Sequence, residues 1–181
     1  RELTPQWIRT SAQPPAALVK GAPPAERAVV AAHLPEARRS LLDLVQSKGA
    51  LNTLVSLPRV AWTVALARYV LSANVPGDFV ETGVFTGGTT VCMMHTLDTT
   101  YGSDVSRLHY GCDSFQGLPG RLAQDSACPG LNDASLKRSS TWCNQAGAGA
   151  MAVSLQQARQ SIARMGVRMA RLRLVKGYFN E

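Results

Sequence analysis

Val75-Pro-Gly-Asp-Phe-Val-Glu-Thr-Gly-Val-Phe-Thr-Gly-Gly-Thr-Thr90 is the stretch from which the fold follows. Pro76-Gly77 is a turn signal, and Phe79-Val80 opens a short buried strand. Glu81 and three glycines, Gly83, Gly87 and Gly88, come next. Val91, Met94 and Leu97 then recur at three-residue spacing, the apolar stripe of a helix. The order is strand, glycine-rich turn, helix. Glycines allow a sharp bend and let a ligand approach without meeting a Cβ. The helix that follows offers unpaired N–H groups and a partial positive charge. Such a turn suits a nucleotide-like ligand at the carboxyl end of the strand. The spacing Gly-x-x-x-Gly-Gly differs from the Gly-x-Gly-x-x-Gly of dinucleotide-binding oxidoreductases. The acid on the strand, Glu81, repels a pyrophosphate and suits an ammonium or sulfonium centre. A tight turn in an ordinary α/β domain is the other reading of the same residues.

A second strand is expected over Arg107 to Cys112, with Leu108, Tyr110 and Cys112 alternating against Arg107, His109 and Gly111. Asp113 ends it, 25 positions after Gly88. In a doubly wound sheet an acid there reaches the ribose hydroxyls of a bound nucleoside. Asp113-Ser-Phe-Gln-Gly-Leu-Pro119 then turns, and the ring of Phe115 either packs on a purine or plugs the core. Met151, Leu155, Ala158, Ile162 and Met165 mark an amphipathic helix ended by Gly166. Arg171 to Val175 is a third strand, Leu172 and Leu174 facing one way, closed by the turn Lys176-Gly-Tyr-Phe179.

Upstream, residues 1–34 are rich in Ala and Pro and are expected as an extended arm with one helical turn near Glu26 to His33. Residues 35–181 form the folded domain. Pro35 to Lys48 is a helix with Leu41, Leu42, Val45 and Lys48 on one face. Pro58 to Ala73 is a more apolar helix, with Trp62, Ala65, Tyr69 and Leu71 suggesting burial. Gly120 to Ala150 is polar, lacks periodicity and is long for a loop. His33 is expected at the surface, and His95 and His109 in structural roles, since none has a second ligand at metal spacing.

The chain has 181 residues, a formal charge of +7 and a sequence pI near 9.7. It starts at Arg1 rather than Met, which reads as a processed product or a piece of a longer polypeptide. From Ala134 to Asn180 there are eight Lys and Arg and no acid. A basic block can bind polyanions, but no aromatic residues interleave from Gln145 to Gly177 to stack on bases. Nucleic acid is disfavoured on that ground. Of four cysteines, Cys92 and Cys112 are expected in the core. Cys128 and Cys143 either pair or remain free thiols. Free thiols favour a cytoplasmic or organellar site, and a disulfide would go with a secretory lumen. No stretch is long and apolar enough for a membrane span; Val60 to Leu71 is too short and contains Arg68.

Gly77-Asp-Phe-Val-Glu-Thr-Gly-Val-Phe-Thr-Gly-Gly88, Asp113-Ser-Phe-Gln-Gly-Leu-Pro119 and Lys176-Gly-Tyr-Phe179 stand in an order and spacing that resembles the macrocin-O-methyltransferase-type family of S-adenosylmethionine-dependent enzymes. The resemblance runs from about Leu51 to Glu181. It implies an α/β, Rossmann-like, doubly wound sheet, incomplete and represented by its first three strands, with N-terminal helices and the arm. It implies that Glu81, Thr82, Gly83, Gly87 and Gly88 hold the methionine end of the cofactor, with Glu81 near its ammonium group. Asp113 would take the ribose hydroxyls, and Ser114, Phe115, Gly177 and Tyr178 would border the adenine. The implied activity is methylation of a hydroxyl on a sugar-like or small-molecule acceptor. A divalent cation such as Mg would lower the hydroxyl's pKa, held by acids of a fourth strand that this chain does not reach. A non-catalytic subunit that keeps the fold inside a larger complex is the alternative. In this topology the fourth strand pairs with the first. A continuation or a second polypeptide is therefore expected to cover the Phe79 to Thr82 edge, which would otherwise be a pairing hazard.

Overall fold

The described residues of the computed structural model are 24–49, 51–104, 106–119, 149 and 151–179. Along them run α1 (Pro24–Ala32), α2 (Leu34–Lys48), α3 (Leu57–Ser72), β1 (Phe79–Thr82), α4 (Gly88–Tyr101), β2 (His109–Asp113), α5 (Leu155–Arg164), a 3-10 turn (Met169–Arg171) and β3 (Leu172–Lys176). The strands form one parallel sheet in the order β1-β2-β3, with Phe79, His109 and Leu172 level across it. Parallel neighbours cannot be joined by a hairpin. The crossover from β1 to β2 is α4, and α5 lies between β2 and β3 in the chain. This is the α/β, Rossmann-like arrangement expected, with three parallel strands among the described residues.

The helices form the other layer. In α2 the buried stripe is Leu34, Ala37, Leu41 and Leu44, at helical spacing. Leu42 and Val45 are only half-buried and Lys48 is exposed, so the stripe lies one position away from the face expected. Ser56 precedes α3, and Pro58 sits in its first turn, where a missing N–H costs nothing. Val60, Ala61, Trp62, Val64 and Ala65 are buried, so α3 is covered on most sides. α4 is buried along Val91, Met94 and Leu97 as expected, and also at Thr90, Cys92 and Thr96. It packs against α3 and β2, while α5 packs against β3. Each fully buried Leu or Val contributes about 1.5–3 kcal/mol, and this shared core holds the sheet's inner face in place.

The expectations for the arm, for the start of α5 and for the sheet are corrected as well. Residues 24–32 of the expected arm form a nine-residue helix, with Pro24 at its first position and Val30 buried; proline is pre-organised for a helix start rather than only for extended chain. The part of the arm at residues 1–23 lies outside the described residues, as do Cys128, Cys143 and most of the stretch from Gly120 to Ala150. α5 begins after Ser154, not at Met151. Ser154 accepts from the Gln157 N–H while the Gln157 side chain accepts from the Ser154 N–H, a reciprocal cap that fixes the start.

The phase of the sheet also differs from that expected. His109 and Gly111 face the core, while Tyr110 and Cys112 are half-buried on the other face. Gly111 faces inward because its neighbours leave no room: a Cβ there would stand 2.9 Å from Val84 Cγ2 and 3.0 Å from Leu174 Cδ2. The outer face is open among the described residues, so β1 is not the fully buried strand expected. Val80 is 67% exposed and Val175 46%. Cys112 accordingly lies on this outer face and not in the core.

The basic block is partly neutralised within the chain. Arg171 is fully buried; its Nε donates to Asp98 Oδ1 (3.0 Å) and its Nη2 to the Gly102 carbonyl (2.7 Å). The Arg168 N–H donates to Asp98 Oδ2 (2.7 Å). His33 is not a free surface residue. It is half-buried, within hydrogen-bonding distance of Ser72 Oγ (3.4 Å) and with its ring beside Tyr69.

Candidate cofactor-binding site

A cavity of about 630 Å³ lies at the carboxyl ends of the three strands, within the size range of small-ligand sites. The turn after β1 lines it with Gly83, Val84 and Phe85, and the start of α4 with Gly88 and Thr89. The tip of β2 contributes Asp113 and Ser114, followed by Gly117, Leu118 and Pro119. The tip of β3 contributes Gly177, Tyr178 and Phe179. Asn52 to Val55, before α3, and Met151 complete the wall.

Asp113 organises this end of the sheet. Its Oδ2 accepts from the N–H groups of Val84 (2.7 Å) and Phe85 (3.1 Å), and its Oδ1 from the Phe115 N–H (2.8 Å). The Gly177 N–H donates to the Asp113 carbonyl (3.0 Å). One residue therefore ties the tips of all three strands together. An ionised carboxylate has about four acceptor positions; three serve main-chain donors here. Phe85 and Phe115 both hold a positive φ, +52°, costly for bulky residues. Both lie in the loops that Asp113 fastens.

The glycines divide by role. Gly83 has φ +91° and nothing within 4 Å of where a Cβ would stand, so it opens onto the cavity. Gly87 and Gly88 are required by packing. A Cβ on Gly87 would meet Ile162 Cγ1 at 2.3 Å, and one on Gly88 would meet the Asn52 carbonyl at 2.4 Å. Thr86 Oγ1 donates to that same carbonyl (2.6 Å), which straps the segment before α3 onto the turn.

Of the residues singled out from sequence, Gly83, Gly88, Asp113, Ser114, Gly177 and Tyr178 line the cavity. Four do not. Gly87 is buried beneath it, and Thr82 is exposed on the outer face of the sheet. The Glu81 carboxylate does not line the cavity; its Oε2 accepts from Thr90 Oγ1 (2.6 Å) and lies 3.1 Å from His109 Nε2. Phe115 is a core residue, 5% exposed, so its ring plugs the interior. Sequence reasoning missed Asn52 to Val55, Val84, Phe85, Thr89, Gly117, Leu118, Pro119, Met151 and Phe179. Phe85, Leu118, Pro119 and Phe179 stand inside the motifs quoted above, which was the signal available for them; Asn52 to Val55 and Met151 stand outside those motifs.

A model of the macrocin-O-methyltransferase (TylF) family matches residues 26–181. The chain belongs to this family. A tetracenomycin-type 4'-O-methyltransferase of Streptomyces olivaceus, full name 8-demethyl-8-(2,3-dimethoxy-alpha-L-rhamnosyl)-tetracenomycin-C 4'-O-methyltransferase, is 32% identical over 130 residues. Demethyldecarbamoylnovobiocin O-methyltransferase of Streptomyces niveus is 28% identical over 130 residues. Each alignment takes in 72% of this chain and 45% of the relative, so the chain spans about half the length of these curated relatives. The solved O-methyltransferase NovP shares the fold, with a TM-score of 0.56 at 21% identity, over 84% of this chain and 66% of NovP. Within the macrocin-O-methyltransferase fold, the cavity sits where α/β sheets bind ligands, outside the carboxyl ends of the strands.

Among the described residues no three His, Cys, Asp or Glu side chains stand close enough to hold a metal ion. No helix among them is long and apolar enough to cross a membrane.

Proposed function

We propose that this chain binds S-adenosylmethionine in the cavity at its strand tips and serves an O-methyltransferase acting on a hydroxyl of a sugar-like or small-molecule acceptor. The observation that carries the reading is the cavity itself. It is bounded by all three strand tips, sized for a nucleoside, open beyond Gly83 and fastened by Asp113, in a chain of the macrocin-O-methyltransferase family. When bound, the cofactor supplies an electrophilic methyl group on a sulfonium. The chain's residues supply binding and alignment, which is most of what an in-line displacement needs from a protein. Gly83 gives the close main-chain approach. The fourth acceptor position of Asp113 is the one left for a ribose hydroxyl, and Ser114, Gly177 and Tyr178 border the base.

A divalent cation does not fit the described residues, which offer no ligand cluster. The activity also calls for a partner segment. Val80 and Thr82 stand exposed on the outer face and edge of β1, and a strand added there, from a longer polypeptide or a second one, would complete the sheet. The second reading, a non-catalytic subunit within a larger assembly, draws on the same open edge.

Calorimetry of the intact polypeptide with S-adenosylhomocysteine tests the proposal. Saturable one-to-one binding is expected, and its absence in folded protein would overturn it. Methyl transfer from S-adenosylmethionine to a sugar-bearing acceptor then separates the enzyme from the subunit that only binds.

A further inference from the structure

Behind the cavity wall lies a polar cluster that the proposed function leaves unused. Glu81 on β1 has a side chain only 14% exposed. Both of its contacts converge on one oxygen, Oε2: Thr90 Oγ1 donates from α4 at 2.6 Å, and His109 Nε2 stands at 3.1 Å on β2. Facing a carboxylate, Nε2 is the ring nitrogen that donates. Thr90 is fully buried and His109 is 1% exposed. The other ring nitrogen, His109 Nδ1, is buried with no hydrogen-bond partner. A buried orphan is unfavourable, and an apolar side chain would fill the same place without it. Packing alone therefore does not account for His109. Its evident effect is on Glu81, whose Oε1 makes no hydrogen bond to another described residue.

We infer that Thr90 and His109 are positioning residues that clamp Glu81 by Oε2, so that Oε1 and the carboxylate's charge serve the ammonium end of the ligand. The inference rests on the proposed S-adenosylmethionine site. Glu81 is two residues before Gly83 and Thr90 follows Thr89, and both of those neighbours line the cavity. The clamp thus lies immediately behind the wall. From there a fixed charge acts through a poorly screening interior or through one bridging water. A carboxylate left to rotate would have the same charge without the fixed direction.

The test compares two probes on the intact polypeptide: S-adenosylhomocysteine, and its deamino analogue with hydrogen in place of the α-amino group. Wild type should prefer the amino form. Thr90→Val and His109→Leu should each reduce that preference about tenfold, the scale of one charge-assisted contact, while affinity for the deamino probe stays unchanged. Thr90→Ser and His109→Gln keep a donor and should keep the preference. Binding of the deamino probe also reports that each variant is folded; should the two apolar variants not fold, Glu81→Gln must show the same lost preference. If the apolar variants weaken both probes equally, or leave the ratio at the wild-type value, the clamp is overturned while the cofactor site stands. If wild type binds neither probe, the site itself falls and the clamp with it.

Discussion

Asp113 shows how a residue selected for one role can have a second. Its position at a strand tip fits ligand binding, yet three of its acceptor positions hold main-chain N–H groups of two loops. Asp113→Ala should therefore destabilise the fold by about 2–4 kcal/mol, the range for losing several bonds to a charged acceptor, besides abolishing binding of S-adenosylhomocysteine. Urea denaturation checks the first effect; a variant of wild-type stability would show that the loops do not depend on the carboxylate. Cys92 carries a pH prediction. Burial, and secondarily the nearby Glu81 charge, push its thiol up from 9.0 to about 12. The unfolded thiol ionises first, so this contribution to stability is complete below pH 9 and is lost as pH rises through about 12. Native Cys92 should resist iodoacetamide at pH 8 while half-buried Cys112 reacts, as peptide mass mapping would reveal. Early alkylation of Cys92 would contradict its burial. At this scale residue types were legible in sequence and side-chain directions were not. The motif holding Phe115 is plain in the chain, but whether the ring turns to ligand or core depends on what packs behind it.

The elements were legible where periodicity and punctuation agreed. Proline and glycine framed β1, and a three-residue stripe marked α4. What alternation could not supply was phase: in β2, Leu108-Tyr110-Cys112 and His109-Gly111 satisfy the same period of two. The inner face is settled by Gly111, which admits Val84 and Leu174, neighbours distant in sequence. The same long-range logic separates the glycines of the turn. Gly88→Ala would place a methyl 2.4 Å from the Asn52 carbonyl, a main-chain atom that cannot step aside, and should cost about 3 kcal/mol. Gly83→Ala meets no atom and costs only its left-handed backbone, about 1–2 kcal/mol. Its methyl stands at the cavity wall, so it should weaken S-adenosylhomocysteine more than it weakens the fold. Thermal unfolding beside calorimetry distinguishes the two. Equal losses of stability would mean that the Asn52 strap yields readily to an added methyl.

At the scale of the molecule, the sheet is built from one side. Helices cover the face of His109, Gly111 and Leu172, while Val80, Tyr110, Cys112 and Val175 occupy a face that the described residues leave open. Purely parallel sheets are ordinarily covered on both faces, and an exposed edge invites pairing. The hydrogen-bond pattern shows which groups a completing strand would take. The N–H groups of Phe79 and Gly83 donate inward to the carbonyls of Leu108 and Cys112. Because the strand alternates, those of Val80 and Thr82 point to the open edge. Hydrogen exchange on the intact native protein therefore decides the proposal of a completing strand. If a fourth strand pairs there, the amides of Val80 and Thr82 should be protected to the same degree as that of Glu81, which points into the sheet. Rapid exchange at Val80 and Thr82 beside a protected Glu81 would mean that the edge stays bare. The proposed acceptor site would then have to be assembled without a strand on β1.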